Sequence, residues 1–217
     1  MTSTMEIFAN QGLLAALALR MLVCFALGSI PFAVLAMAGT GIDIRRVGSG
    51  NPGFNNVLRV SKLRAVVALV GDVGKGVLAL WLVTHAWPVR LETGMVFGWL
   101  FGFAAVLGHC YSPLLKFHGG KGIATSGGVM VVLYPGLAAI AIAFYFVARL
   151  AGSFLKWNER GMIASLSSWA LFTVILFILR GPAEGGLAAG MTLFLAWRHR
   201  KNFQNLISSF ERNEVPG

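Results

Sequence analysis

The chain has 217 residues, of which 57% are hydrophobic and only 12% charged, a balance that excludes an ordinary soluble domain. Its formal charge of +10 invites a nucleic-acid reading, but the 18 Lys and Arg are wedged between apolar runs instead of forming one basic face. Positive-inside topology produces that pattern, so no nucleic acid is expected as a partner and the lipid bilayer is.

The first ten residues carry Glu6 and no cation, whereas a cleavable signal peptide wants a basic start, so the first apolar segment is expected to persist as a helix. Apolar segments follow at about 12–39, 65–88, 94–115, 123–148, 162–179 and 185–197. Crossing the hydrocarbon takes about 20 helical residues, which suggests six spans. The charges object. Residues 40–64 hold Arg45, Arg46, Arg59, Lys62 and Arg64 against Asp43 alone, residues 85–93 hold only Arg90 and Glu92, and residues 116–122 bring Lys116 and Lys121. Six spans would strand the next cationic loop, with Arg149, Lys156 and Arg160, on the outer side.

Tyr134-Pro135-Gly136 resolves the conflict, because Pro-Gly is a strong turn signal in the middle of the fourth run. Cutting there gives short spans at about 120–134 and 136–150, and places 14 cations inside against Arg90 and Arg180 outside. A re-entrant pair would leave the loops on the same sides. The expected fold is all-α: a polytopic membrane protein with seven transmembrane helices, some short, N-terminus outside and C-terminus cytoplasmic. Residues 1–200 are expected to form a single transmembrane catalytic domain, and 201–217 a polar cytoplasmic tail on the membrane surface.

Two glycine-rich loops then fall on the inner side. The first holds Gly48, Ser49, Gly50, Asn51, Pro52, Gly53, Asn56 and Arg59. Its glycines permit positive φ and a close approach of N–H groups to an anion, while Arg59 offers a two-pronged donor suited to phosphate. If Pro52 opens a helix, a positive helix end is added; a plain interhelical turn is the other reading. The second holds Lys116, His118, Gly119, Gly120, Lys121 and Gly122, a cradle around a cation that lacks the GxxxxGK[ST] spacing of a nucleotide loop. It reads equally as a positive-inside anchor.

Asp72 and Lys75, at i and i+3 inside the second apolar run, share a helix face and can pair, either for function or to fix packing. His109 ends the third span and could relay a proton or orient a neighbour. Ser165, Ser167 and Ser168 begin the sixth span, where serines cap, pack or bind. His199 and Asn202 lie one turn apart where the last span leaves the membrane. Cys24 and Cys110 lack ligand spacing, and neither metal nor cofactor is expected.

In order along the chain, GSIPFAVL (28–35), GIDIRRVGSGNPG (41–53), NVLR (56–59), DVGKG (72–76), GH (108–109), GGKGIAT (119–125), SLSS (165–168) and HRKN (199–202) resemble the bacterial acyl-phosphate:glycerol-3-phosphate acyltransferase family. The resemblance runs from about residue 24 to 205. It implies a seven-helix inner-membrane enzyme that moves a fatty acyl group from acyl phosphate to the 1-hydroxyl of glycerol 3-phosphate. By position, Ser49, Arg59, Lys121, Ser165 (or Ser168), His199 and Asn202 match the family's phosphate- and substrate-binding residues. Where the family usually reads GATN, this chain has Gly53-Phe54-Asn55-Asn56. Phe54 could narrow an acyl entrance or mark a weakly active paralogue. Ser112-Pro113 and Arg160-Gly161 also depart from the pattern.

The residues independently suit such chemistry. Acyl phosphate carries a good leaving group, so bringing two anions together and stabilising an oxyanion suffices. No His-x4-Asp or Ser-His-Asp set is evident. His109, His199 or a substrate phosphate could take the proton. A transporter of a small phosphate ester and a non-catalytic scaffold are the rivals, but no inverted repeat is visible to favour the first.

Overall fold

The computed structural model describes residues 11–86 and 95–213, and these contain helices and turns but no strand. Glu6, Arg90 and Glu92, which entered the charge argument, lie outside the described residues. The helices are α1 (Gln11–Gly28), α2 (Phe32–Ala36), α3 (Phe54–Val57), α4 (Lys62–Trp81), α5 (Met95–Cys110), α6 (Ile123–Leu133), α7 (Pro135–Phe154), α8 (Arg160–Arg180), α9 (Pro182–Arg198) and α10 (Arg200–Asn213). Among the described residues, five stretches are long and apolar enough to cross a membrane: Gly12–Ala36, Lys62–His85, Met95–Leu115, Pro135–Phe154 and Arg160–Arg180. Helix α6, with 11 residues, and α9, with 17, are shorter.

The fourth apolar run does break at Tyr134. Helix α6 stops at Leu133, and Pro135, with no N–H to donate, becomes the first residue of α7. Tyr134 Oη donates to Glu184 Oε2 at 2.7 Å, tying the break to the first turn of α9.

The chain divides into two compact units: Met1–Gly120 with Ala124–Val129, and Lys121–Ile123 with Met130–Gly217. In the first, α1 packs on α4 and α5, while α2 and α3 pack on α4. Small residues make these contacts close: a Cβ on Gly28 would strike the Ala105 carbonyl, and one on Gly108 the Phe25 carbonyl. A separate apolar core joins Ala33, Met37, Ile44, Val57, Ala65 and Ala68. In the second unit, α8 packs between α7 and α9, and α10 follows α9 after His199. Leu63, Val70, Ile178 and Leu193 are exposed by half or more, as lipid-facing positions would be.

Within the tail read as polar and membrane-surface, the described residues Arg200–Asn213 form α10, an amphipathic helix. Phe203, Ile207 and Phe210 lie at i, i+4 and i+7 on its exposed edge.

Candidate active site

In the first unit, the loop ahead of α3 is shaped by its glycines and one buried amide. Gly48 and Gly50 adopt φ of +59° and +68°, the left-handed region that side chains other than glycine rarely occupy. Asn56 is 2% exposed and fully engaged with backbone. Its Nδ2 donates to Ile44 O and Val47 O, both at 2.9 Å, and its Oδ1 accepts from Ser49 N–H at 3.0 Å. Asn56, expected to touch substrate, therefore holds the loop from beneath. Ser49 and Arg59 are exposed on it, and an Arg59 guanidinium nitrogen lies 3.4 Å from where a Gly48 Cβ would stand. Ser49 Oγ accepts from Asn51 N–H at 3.4 Å.

Pro52 does not open a helix. Helix α3 starts at Phe54 behind an extended Gly53 (φ −163°) and runs for 4 residues, too short to present a helix-end anion site. Phe54 packs against the core of Ala33, Met37, Ile44 and Val57, whereas Asn55 is exposed. Beside the loop, Arg45 binds Asp43 through Nε and a terminal nitrogen, both at 2.9 Å. These hydrogen bonds hold the Asp43 carboxyl down to about 2.

Beneath the second loop lies a buried charged cluster. Lys75 Nζ pairs with Asp72 Oδ1 as an ion pair at 2.8 Å and donates to Ile30 O at 2.7 Å. Ile30 sits at the break between α1 and α2, where Pro31 contributes no N–H, so Lys75 meets a carbonyl that the helix cannot fully use. His109 Nδ1 lies 3.4 Å from the same Asp72 oxygen. His109 O accepts from Gly120 N–H at 3.2 Å, and Cys110 O from Gly119 N–H at 3.1 Å. A Cβ on Gly120 would collide with His109 Nε2, so only glycine lets the loop lie on the ring. A narrow crevice there is lined by Pro52, Asp72, Lys75, His109, Ser112 and Gly120, bringing both loops to one place within this unit. His109, Gly119 and Gly120 are thereby joined to Asp72, which sequence reasoning had left open as packing or function.

The second unit begins at Lys121. Its ammonium donates to Asn202 Oδ1, 81 positions further along. Gly122, at φ +93°, turns the chain into α6. Asn202 Nδ2 donates to Glu159 Oε2 at 2.6 Å, and Asn205 Nδ2 to Glu159 Oε1 at 3.1 Å. Glu159 and Asn205 were missed in the sequence, since no spacing motif joins the α7–α8 loop to α10. Ser165 Oγ donates to Gly161 O at 2.6 Å within its own helix, and Ser168 Oγ donates to Ala141 O on α7. Each hydroxyl keeps acceptor capacity, but Ser168 joins two helices while Ser165 bonds only along α8.

His199 is buried at the α9–α10 junction, with Nδ1 at 2.8 Å from Leu195 O. A carbonyl cannot donate, so Nδ1 carries the proton and neutral His199 offers Nε2 as an acceptor. Burial pushes its pKa down from 6.5 to about 4, opposed by the Leu195 carbonyl and aided by Lys121. Between those values the unfolded chain binds a proton that the folded one refuses, so this contribution to stability is present above about pH 6.5 and lost progressively as pH falls from there to about 4. Lowering pH from about 7 to about 5 is expected to reduce the apparent Tm less in His199→Gln than in the parent, checked by thermal unfolding in nanodiscs. Equal reductions would remove His199 from the account.

A family model described as glycerol-3-phosphate acyltransferase matches residues 18–209. The glycerol-3-phosphate acyltransferase of Laribacter hongkongensis is 38% identical over 197 residues, covering 88% of this chain and 92% of that protein. That of Pseudomonas savastanoi pv. phaseolicola is 37% identical over 191 residues, covering 87% and 93%. The crystal structure of PlsY (YgiH), an integral membrane glycerol 3-phosphate acyltransferase, in its glycerol 3-phosphate form aligns at a TM-score of 0.75 and 28% identity, over 89% of this chain and 92% of that one. Its lysophosphatidic acid form aligns at 0.74 and 27%, over the same shares. With matches of this extent in both sequence and fold, the chain belongs to the glycerol-3-phosphate acyltransferase family.

Proposed function

We propose that this chain is a membrane acyltransferase that moves a fatty acyl group from acyl phosphate to the 1-hydroxyl of glycerol 3-phosphate. The observation that carries this reading is the Lys121–Asn202 contact, which joins the cation of the GGKG segment to the first turn of α10 in a chain of this family. The hydroxyl oxygen forms a bond to the acyl carbonyl carbon. The bond from that carbon to the bridging phosphate oxygen breaks, and phosphate leaves with the electron pair. The hydroxyl proton passes to phosphate or to the free Nε2 of His199, and the other product is lysophosphatidic acid.

Each unit supplies donors suited to a phosphate. In the first they are Ser49, Arg59, the Asn51 side-chain amide and the Gly48 N–H, whereas the N–H groups of Gly50, Asn51 and Gly53 already donate to Val47 O, Ser49 Oγ and Asn51 O and so shape the loop. In the second they are Lys121 and Asn202, with Gly122 next in sequence and His199, whose carbonyl accepts from Asn202 N–H at 2.8 Å; Ser165 joins the proposal by its place in the family's pattern. Such fixed donors stabilise charge developing on a carbonyl oxygen and orient the two reactants. Phe54, packed on the apolar core, gives no support to a blocked acyl entrance.

The topology belongs to the same proposal: seven spans with α6 and α9 as the short ones, the N-terminus outside and the cationic loops in the cytoplasm. Residues 1–200 then serve as one catalytic domain in the cytoplasmic membrane, inner in a cell with two. Residues 201–217 lie along the surface with the Phe203–Ile207–Phe210 edge in the lipid, as amphipathic interfacial helices do.

Purified protein in nanodiscs, given acyl phosphate and glycerol 3-phosphate, is expected to release phosphate only when both are present. Equal release without glycerol 3-phosphate, or none with it, overturns the reading.

A further inference from the structure

Glu159 has no part in the proposed phosphate contacts, yet it stands behind one of them. An asparagine amide is nearly symmetric in shape and opposite in polarity at its two ends, so neighbours must decide which end faces where. Lys121 can only donate and therefore requires the oxygen. A carboxylate, in contrast, only accepts. Glu159 Oε2 takes the Asn202 NH₂ group at 2.6 Å, which leaves Oδ1 for the Lys121 ammonium. The reversed amide would set oxygen against carboxylate and NH₂ against ammonium, replacing two attractions by two repulsions.

The carboxylate is itself held. Asn205, one helical turn beyond Asn202, donates to Oε1 at 3.1 Å and fixes the plane of the group. The Glu159 carbonyl accepts from Met162 N–H at 2.8 Å and Ile163 N–H at 3.1 Å, locking its backbone into the first turn of α8. Its φ of 54° is one of four positive values at non-glycine residues among the described residues, so a left-handed turn aims this side chain at α10.

We propose that Glu159 is a positioning residue for acyl transfer, whose carboxylate orients the Asn202 amide so that Lys121 is held where a substrate phosphate can meet it. The inference rests on the phosphate role given to Lys121 above. Its distinctive consequence is a reversal between backgrounds. Asn202→Asp presents oxygen at both ends and needs no orienting, but sets a second carboxylate against Glu159. Removing Glu159 should therefore harm the parent and spare or help the Asp variant.

The test measures kcat and both KM values in nanodiscs for Glu159→Ala in the parent and in the Asn202→Asp background, with thermal unfolding of each. In the parent, Glu159→Ala is expected to raise KM for one phosphate-bearing substrate about tenfold, with kcat changed less than about threefold. In the Asn202→Asp background the same change should leave that KM unaltered or lower it. A purely structural Glu159 would instead lower kcat alone through a smaller folded fraction, and by the same factor in both backgrounds. That result, or an unchanged parent KM, overturns the proposal. A parent protein with no glycerol 3-phosphate-dependent release overturns the proposed function and with it this inference, whereas an active parent whose KM is unchanged by Glu159→Ala overturns this inference alone.

Discussion

Lys121→Ala is expected to lower kcat/KM by about 10²- to 10³-fold or more, whereas His109→Ala keeps a readily measured fraction of activity. The difference follows from what each side chain can reach. Lys121 extends from the glycine-rich loop to Asn202, so its charge stands among groups able to hold a phosphate. His109 has Nδ1 towards Asp72 and Nε2 against Gly120, and lies almost wholly buried. It supports the loop from below and is badly placed to take a substrate proton. A reaction whose leaving group is already a phosphate needs less from a base than from fixed positive charge. Phosphate-release kinetics on both variants, with unfolding curves as the folding control, decide the matter. Equal and complete loss in two well-folded variants would sink the ranking and return His109 to the position of base.

The features legible in the sequence were those with local physical causes. Pro135 broke the fourth apolar run because a residue without N–H cannot continue α6, and the break was visible as Pro-Gly after Tyr134. Gly48 and Gly50 announced a loop with left-handed backbone, and Asp72 and Lys75 announced a pair by their i, i+3 spacing. What joins distant segments was not legible. Nothing in the order of residues says that His109 meets the Asp72–Lys75 pair, or that Glu159 meets Asn202 and Asn205, because each contact is set by how helices pack. Asn56 illustrates a third case. An exposed-looking amide in a polar loop suggests ligand binding, yet with Ile44 and Val57 buried beside it the amide turns inward and satisfies loop backbone. Of the two readings left open at Pro52, the turn holds and the helix start does not, for a similar reason. Helix α3 is fixed by Phe54 and Val57 reaching the apolar core, so it starts after Gly53 and not at the proline.

Breaking the Asp72–Lys75 pair from one side should be the most destabilising single change in the first unit. Both side chains are 2% exposed within a helix long enough to span the membrane, so Lys75 left alone would keep only the Ile30 carbonyl, and Asp72 left alone only His109, in place of its buried counter-ion. Asp72→Ala or Lys75→Ala is expected to cost about 3–5 kcal/mol, the usual penalty for one uncompensated buried charge. Removing both with apolar residues of similar size, Asp72→Leu with Lys75→Met, should cost much less than the sum, since no unpaired charge remains. The double variant still loses the hydrogen bond to Ile30 O and the Asp72 contact to His109, so it should not become more stable than the parent. Thermal unfolding of the three variants in nanodiscs separates these outcomes. Additive losses would mean that the pair contributes through packing alone. A strongly coupled loss, with acyl transfer still impaired in the stable double variant, would show that the cluster also sets the Gly119–Gly120 backbone through His109. Activity lost together with His109 contact, but not with stability, is the signature that distinguishes a loop support from an ordinary membrane salt bridge.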